Sequence, residues 1–135
     1  MNLSNARLER CATLKSLGLS LPCEVGSIVA RGFADLGYEA FRVLPGEKLI
    51  SLFTGKISSS SVTHDRELFV VPDVDLLVQE ILRRGFSIES LRFVDQHSWQ
   101  LRLRPSDSDM LICVEELELG SVFLSATEQI LTGHQ

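Results

Sequence analysis

Cys23 is the residue whose type and spacing come closest to a chemical motif. It follows Pro22 in what the apolar spacing reads as the first turn of a helix, where unpaired backbone N–H groups and the helix dipole lower a thiol's pKa. A thiolate nucleophile also wants a base within hydrogen-bonding reach, usually histidine. His64, His97 and His134 all fall in expected turns or in the tail, and Glu24 would oppose a neighbouring thiolate. Cys11 and Cys113 sit inside apolar patterns, where a free cysteine behaves as a small hydrophobe. Three scattered cysteines make no disulfide framework, and an odd count would leave one thiol unpaired. No catalytic residue is assigned on these grounds.

Other constellations fall short of a site. His64-Asp65 has the residue types of a metal-dependent phosphohydrolase pair, but further histidines and carboxylates at suitable spacing are missing. Asp107-Ser108-Asp109 lacks the alternating ligands, glycine and terminal glutamate of a calcium loop, and reads as a turn. The nine glycines follow no phosphate-loop spacing. The expectation is no metal and no cofactor.

One polar group remains. Residues 98–104 alternate, so that Trp99, Leu101 and Leu103 point one way and Ser98, Gln100, Arg102 and Arg104 the other. With Arg92 on the preceding strand, Gln100, Arg102 and Arg104 form the candidate partner-binding residues, since a guanidinium can grip a carboxylate bidentately. The competing reading is that Glu89, Glu115 or Glu116 neutralises these arginines across the strands.

The elements that must position this group follow from periodicity. Ser4 is a plausible N-cap for a first helix with Leu8, Cys11, Leu14 and Leu17 on one stripe, stopped at Gly18. Val25, Ile28, Val29, Phe33 and Leu36 predict a second helix from Pro22 to a left-handed Gly37. Over residues 39–57 a strand from Ala40 to Leu44 and the Pro45-Gly46 turn are expected. The apolar positions Leu49, Ile50, Leu52 and Phe53 suit either a helix or the return strand of a hairpin.

Ser58 to Ser61 is the one low-complexity stretch and reads as an exposed connection. Beyond it, Leu68 to Val71 predicts a strand, and Asp73 caps a helix burying Val74, Leu77, Val78, Ile81 and Leu82 before Gly85. A strand forming by about Leu91 and the strand 98–104 should be joined by a three-residue loop, Asp95-Gln96-His97. That loop sets Phe93 opposite Trp99 and Leu91 opposite Leu101, keeping the apolar face whole. Met110 to Val114 is apolar on both faces and predicts a more central strand, and Val122 to Leu131 a final helix.

The chain therefore predicts an α+β fold. Its C-terminal part runs strand, helix, three antiparallel strands, helix, with helices on one face of the sheet, preceded by two N-terminal helices. It is expected to be a single domain over residues 1–135, with a mainly helical portion 1–57, the connection 58–61 and an α+β unit 62–135. The order from Asp73 to Leu131 resembles, in topology only, the double-stranded-RNA-binding domain, which contacts phosphates with lysines at the start of its second helix. The corresponding stretch here, residues 121–128, carries no basic residue, so nucleic acid is not an expected partner.

Charge and length bound the rest. Residues 1–67 hold eight Lys/Arg and seven Asp/Glu, whereas residues 68–135 hold five and eleven, so the second half carries −6 of the overall −5. That acidity favours a basic protein partner over phosphate backbones. No signal-peptide pattern opens the chain and no apolar run is long enough to cross a bilayer, so a cytoplasmic location away from membranes is expected. These features predict a small non-enzymatic protein–protein interaction module of regulatory, adaptor or immunity type, with homodimerisation through an edge at Leu68–Val71 as one route. The alternative is a small enzyme or small-molecule binder whose site forms only in three dimensions, using Cys23.

Overall fold

A computed structural model describes residues 3–33, 36–59 and 67–133. It is a mixed α+β structure with antiparallel sheets and three helices, and it divides into two compact units, Met1–Pro72 and Asp73–Gln135.

The first unit opens with α1 (Asn5–Ser16), where Ser4 Oγ accepts a hydrogen bond from the Arg7 N–H and satisfies one of the helix's orphan donors. Leu8, Cys11 and Leu14 are buried at three-residue spacing, and Gly18 leaves the helix with a φ of +105°. The expected second helix does not form. Its apolar residues instead make β1 (Ile28–Phe33), hydrogen-bonded on both sides to β2 (Gly37–Leu44) and β5 (Phe69–Val70).

The cause is tertiary. Ile28 and Val29 are β-branched and fit a strand held between two neighbours better than isolated propensity suggests. Gly26 takes φ +94°, which a helix cannot use, and a side chain at Gly32 would press on the Tyr38 ring at 3.2 Å. The glycines that weakened the helix are therefore turn and close-approach residues of a sheet.

Residues 39–57 adopt the hairpin alternative. β2 turns at Pro45-Gly46-Glu47 into β3 (Lys48–Ser51), with Val43 opposite Leu49, and β4 (Ile57–Ser59) pairs with β3. Ser58 and Ser59 are thus part of an exposed edge strand, whereas Ser60, Ser61 and the His64-Asp65 pair lie outside the described residues. The sheet order is β4-β3-β2-β1-β5. The strand expected at Leu68–Val71 exists as β5, but it pairs with β1 and so belongs to this first sheet, not to the C-terminal one.

Register places Ala30 opposite both Ala40 and Phe69, and the two small alanines leave room for α1, which packs on β2 and β5. The helix is also pinned by polar bonds, from the Lys15 Nζ to the Leu68 carbonyl (2.8 Å) and from the Tyr38 N–H to Asn5 Oδ1 (2.9 Å). The opposite face carries a cluster of Val29, Phe41, Val43, Leu49 and Leu68. On that face the Arg31 guanidinium lies 5.1 Å from the Phe33 ring centre.

The second unit begins with α2 (Val74–Arg83), capped by Asp73, whose Oδ1 accepts from the Leu76 N–H at 2.8 Å. Leu77 and Ile81 are buried as the stripe requires, but Leu82 is 51% exposed and Glu80 takes a buried place. Glu80 accepts hydrogen bonds from Arg83 and Arg84, and the Arg83 bond chiefly holds its carboxyl below the usual range, against the cost of burial. Three antiparallel strands follow, β6 (Phe86–Val94), β7 (Ser98–Pro105) and β8 (Ile112–Glu116), in the order β6-β7-β8, then α3 (Leu119–Gly133).

α3 packs on β7 and β8, α2 on β6, and the two helices on each other, so Leu101, Leu103, Val114, Val122, Phe123 and Ile130 form a buried layer. Met110 and Leu111 are not part of a central strand. They are exposed, and β8 begins only at Ile112, at the edge of the sheet, because no fourth strand pairs beyond it among the described residues. No helix among the described residues is long and apolar enough to cross a membrane.

Candidate functional site

The β6–β7 hairpin carries every residue proposed as partner-binding. Its loop is Asp95-Gln96-His97, three residues long, and Asp95 and Gln96 take φ values of 51° and 59°. Two consecutive left-handed residues of short or polar type close the turn, and the His97 N–H returns to the Val94 carbonyl at 3.2 Å. The register follows, with Phe93 opposite Trp99, Leu91 opposite Leu101 and Arg92 opposite Gln100. It is the register that keeps apolar side chains on one face. Between Ile88 and Ser90 it shifts by a bulge that leaves Glu89 without an opposite number.

On the face away from the helices, the four polar residues converge with distinct fates. Arg104 grips Glu89 bidentately, Nε to Oε2 at 2.7 Å and Nη2 to Oε1 at 3.2 Å, and this bond holds the Glu89 carboxyl below its usual range. Arg92 Nη2 donates to Gln100 Oε1 at 3.0 Å. Arg102, opposite Cys113, makes no ion pair among the described residues, and its Nε is shielded from solvent without a hydrogen-bond acceptor. Of the carboxylates expected to neutralise this group, only Glu89 does so. Glu115 accepts from Ser98 Oγ at 2.6 Å and Glu116 accepts from Ser125 Oγ.

On the helix-facing side, the inward direction of Trp99, Leu101 and Leu103 holds, but burial is uneven across the sheet. Leu101 and Leu103 are sealed, whereas Phe93 on β6 is 52% exposed, Leu91 39% and Ile88 37%. Trp99 is half-buried, its ring 5.2 Å from that of Phe93. The reason is position. Among the described residues only β7 pairs with β6, so β6 is an edge strand, and beyond the buried Phe86 its apolar side chains stay partly in water. Alternation alone places Leu91 and Phe93 on the apolar face with Leu101 and Trp99 and does not say how far that face is covered. The sequence signal that marks them out is the pair of polar residues Glu89-Ser90 between Ile88 and Leu91, which breaks the alternation where the bulge forms.

The thiols take a different arrangement from the one expected. No helix begins at Pro22, so Cys23 gains no help from a helix dipole, and partial burial pushes its pKa up. Cys11 is buried in α1 and its pKa is pushed up to about 11 by desolvation, against the opposing pull of Arg7 and Arg10. Both line one cavity of about 170 Å³, with Lys15, Leu19, Leu21 and the β5 residues Phe69 and Val70. Cys113 is exposed on β8.

Cys23 should therefore label with maleimide in the native protein, but more slowly at pH 7 than a free cysteine and faster as pH rises. Cys11 should label only on unfolding. The sign for stability follows from the same shift. Between the unfolded thiol pKa near 9 and the folded value near 11, the unfolded chain releases the Cys11 proton first, so stability falls as pH rises. Chemical denaturation of the wild type and Cys11→Ala across pH 8–11 checks this, and an equal pH dependence in both would contradict it.

The remaining chemical candidates stay apart. His97 sits in the exposed hairpin loop, its Nδ1 3.0 Å from the Asp95 carbonyl oxygen. In the Asp107–Asp109 turn, Ser108 Oγ accepts from the Met110 N–H. His64 and His134 lie outside the described residues, and among the described residues no three His, Cys, Asp or Glu side chains gather as a metal site. Residues 122–124, 126 and 127 of α3, in the stretch compared with the RNA-binding topology, are buried. No family model, no curated protein and no solved structure matches this chain.

Proposed function

We propose that this protein is a small non-enzymatic protein–protein interaction module that docks its partner on the β6–β7 hairpin. The observation that carries the reading is the exposed apolar row Ile88, Leu91 and Phe93 beside Trp99 on an edge strand that, among the described residues, pairs on one side alone. Folding alone favours removing such side chains from water, by roughly 25 cal/mol for each Å² buried. Contiguous apolar surface next to polar residues characterises interaction sites, and aromatic and arginine side chains dominate their energetics. The back of the same hairpin supplies Arg92, Gln100, Arg102 and Arg104 as the polar contacts.

The test is a comparison of two baits. Tagged wild-type chain and a Phe93→Glu variant are incubated with native lysate, and retained proteins are identified by mass spectrometry. The wild type should retain at least one protein that the variant loses, while circular dichroism shows both folded. Identical retained sets would remove the hairpin as the docking surface.

A second reading is a small enzyme or small-molecule binder, favoured by the shared cavity of Cys11 and Cys23. It ranks lower. The cavity is below the roughly 300–1,000 Å³ of usual ligand pockets, burial pushes the pKa of both thiols up, and no histidine among the described residues lines it. Fast, selective maleimide labelling of Cys23 at pH 7 would reverse that order.

A further inference from the structure

From the two-sided chemistry of the β6 edge we infer that the partner binds as an extended strand of alternating acidic and apolar residues, added alongside β6. This rests on the protein-binding reading above and names the form and chemistry of its ligand. β6 is nine residues long and, among the described residues, pairs on one side only, with β7. Its first half is disrupted by the bulge at Glu89, a feature that discourages strand pairing. From Ser90 to Val94 the ladder is regular, and no strand among the described residues takes up the row of backbone donors and acceptors on its other side. An extended peptide is the ligand that satisfies such a row, and its alternate side chains are read by the two faces of the sheet.

The faces differ in kind. On the helix-facing side an added strand would meet Leu91 and Phe93, with Trp99 one strand further in, so every second side chain of the ligand should be apolar. On the other side it would meet Arg92, with Arg102 one strand further in. Neither guanidinium is ion-paired to a carboxylate among the described residues: Arg102 only helps at longer range to hold the Glu89 carboxyl below its usual range, whereas Arg104 grips Glu89 directly. The intervening side chains should therefore be acidic. Turning the Arg102 guanidinium toward an arriving carboxylate would also relieve its unaccepted Nε donor.

The −6 charge of residues 68–135 does not oppose this. Its long-range field is screened over about 8 Å at physiological salt, and charges at contact decide the pairing. A basic ligand strand would place like charges against Arg92 and Arg102.

The chain's single tryptophan, Trp99, reports on the site directly. The probe is a capped seven-residue peptide alternating valine and glutamate. The controls carry lysine for glutamate, or an N-methyl group on the central residues to block strand pairing. The glutamate peptide should give a saturable change in Trp99 fluorescence. Binding should weaken roughly tenfold or more with the lysine peptide and with the Arg92→Gln/Arg102→Gln variant, and fall as salt rises. The N-methylated peptide should not bind, and amides of residues 90–94 should gain protection from hydrogen exchange with the glutamate peptide alone.

Equal binding of glutamate and lysine peptides, binding of the N-methylated peptide, or no binding at all would overturn the inference. So would a dimer in sedimentation analysis that Phe93→Glu disperses, because β6 would then be occupied by a second copy. If the peptides fail while Phe93→Glu still loses a protein from lysate, the docking surface stands and only its occupant is wrong. If both fail, the protein-binding reading falls too.

Discussion

Replacing Leu101 by alanine is expected to destabilise the protein by about 3 kcal/mol, while the same change at Leu91, directly opposite on the same face, costs under about 1 kcal/mol. Leu101 is fully sealed in the layer between the central strand β7 and the helices of the second unit, so truncation leaves a cavity that β-sheet neighbours cannot fill. Leu91 is 39% exposed on the edge strand, where water already reaches part of the side chain and no closed cavity results. Urea denaturation followed by Trp99 fluorescence measures both. Equal losses would mean that β6 is covered as fully as β7, and the exposed apolar row behind the proposed docking surface would then have no basis.

Gly37→Ala is expected to cost about 2–3 kcal/mol, for two separable reasons. Gly37 takes φ +81°, a region that costs a residue with a Cβ roughly 1–2 kcal/mol. That Cβ would also lie 2.5 Å from Asn5 Oδ1, the acceptor of the Tyr38 N–H. The asparagine must swing away, and the bond between α1 and the start of β2 is lost, adding about 1 kcal/mol. In Asn5→Ala/Gly37→Ala the clash disappears with the bond, so the double variant should lose less than the sum of the two singles. Strict additivity in thermal or denaturant unfolding would show that the two residues do not act on each other.

Much of the local structure was legible because it depends on a few neighbouring residues. Ser4 and Asp73 cap their helices through hydroxyl and carboxylate oxygens, as short polar residues before an apolar stripe should. The hairpin register follows from a single requirement, that Phe93 and Leu91 share a face with Trp99 and Leu101, which a three-residue loop meets and a two-residue loop does not. Gly37 was expected to be left-handed and is, although it opens a strand where a helix end was expected.

Ile28 to Phe33 reads as a helix in the sequence but folds as a strand, because an apolar stripe with β-branched residues satisfies a helical and a strand pattern alike. Its choice depended on β2 and β5, the latter nearly forty residues away in sequence. β5 is legible as a strand but its sheet is not, because a short apolar segment carries no mark of its partner, here β1.

The sequence by itself determined the α+β class, the caps and turns, the order of elements after Asp73, and which side chains of the β6–β7 hairpin share a face. Each of these follows from interactions within a few residues or between adjacent strands. Tertiary structure alone decided which strands are edges, and with that which apolar residues meet water. Leu91 and Leu101 have the same residue type, the same face and the same ladder, yet opposite burial. The difference is the presence or absence of a neighbour on the far side, a non-local fact that no alternation pattern encodes, and the candidate site is made of that difference.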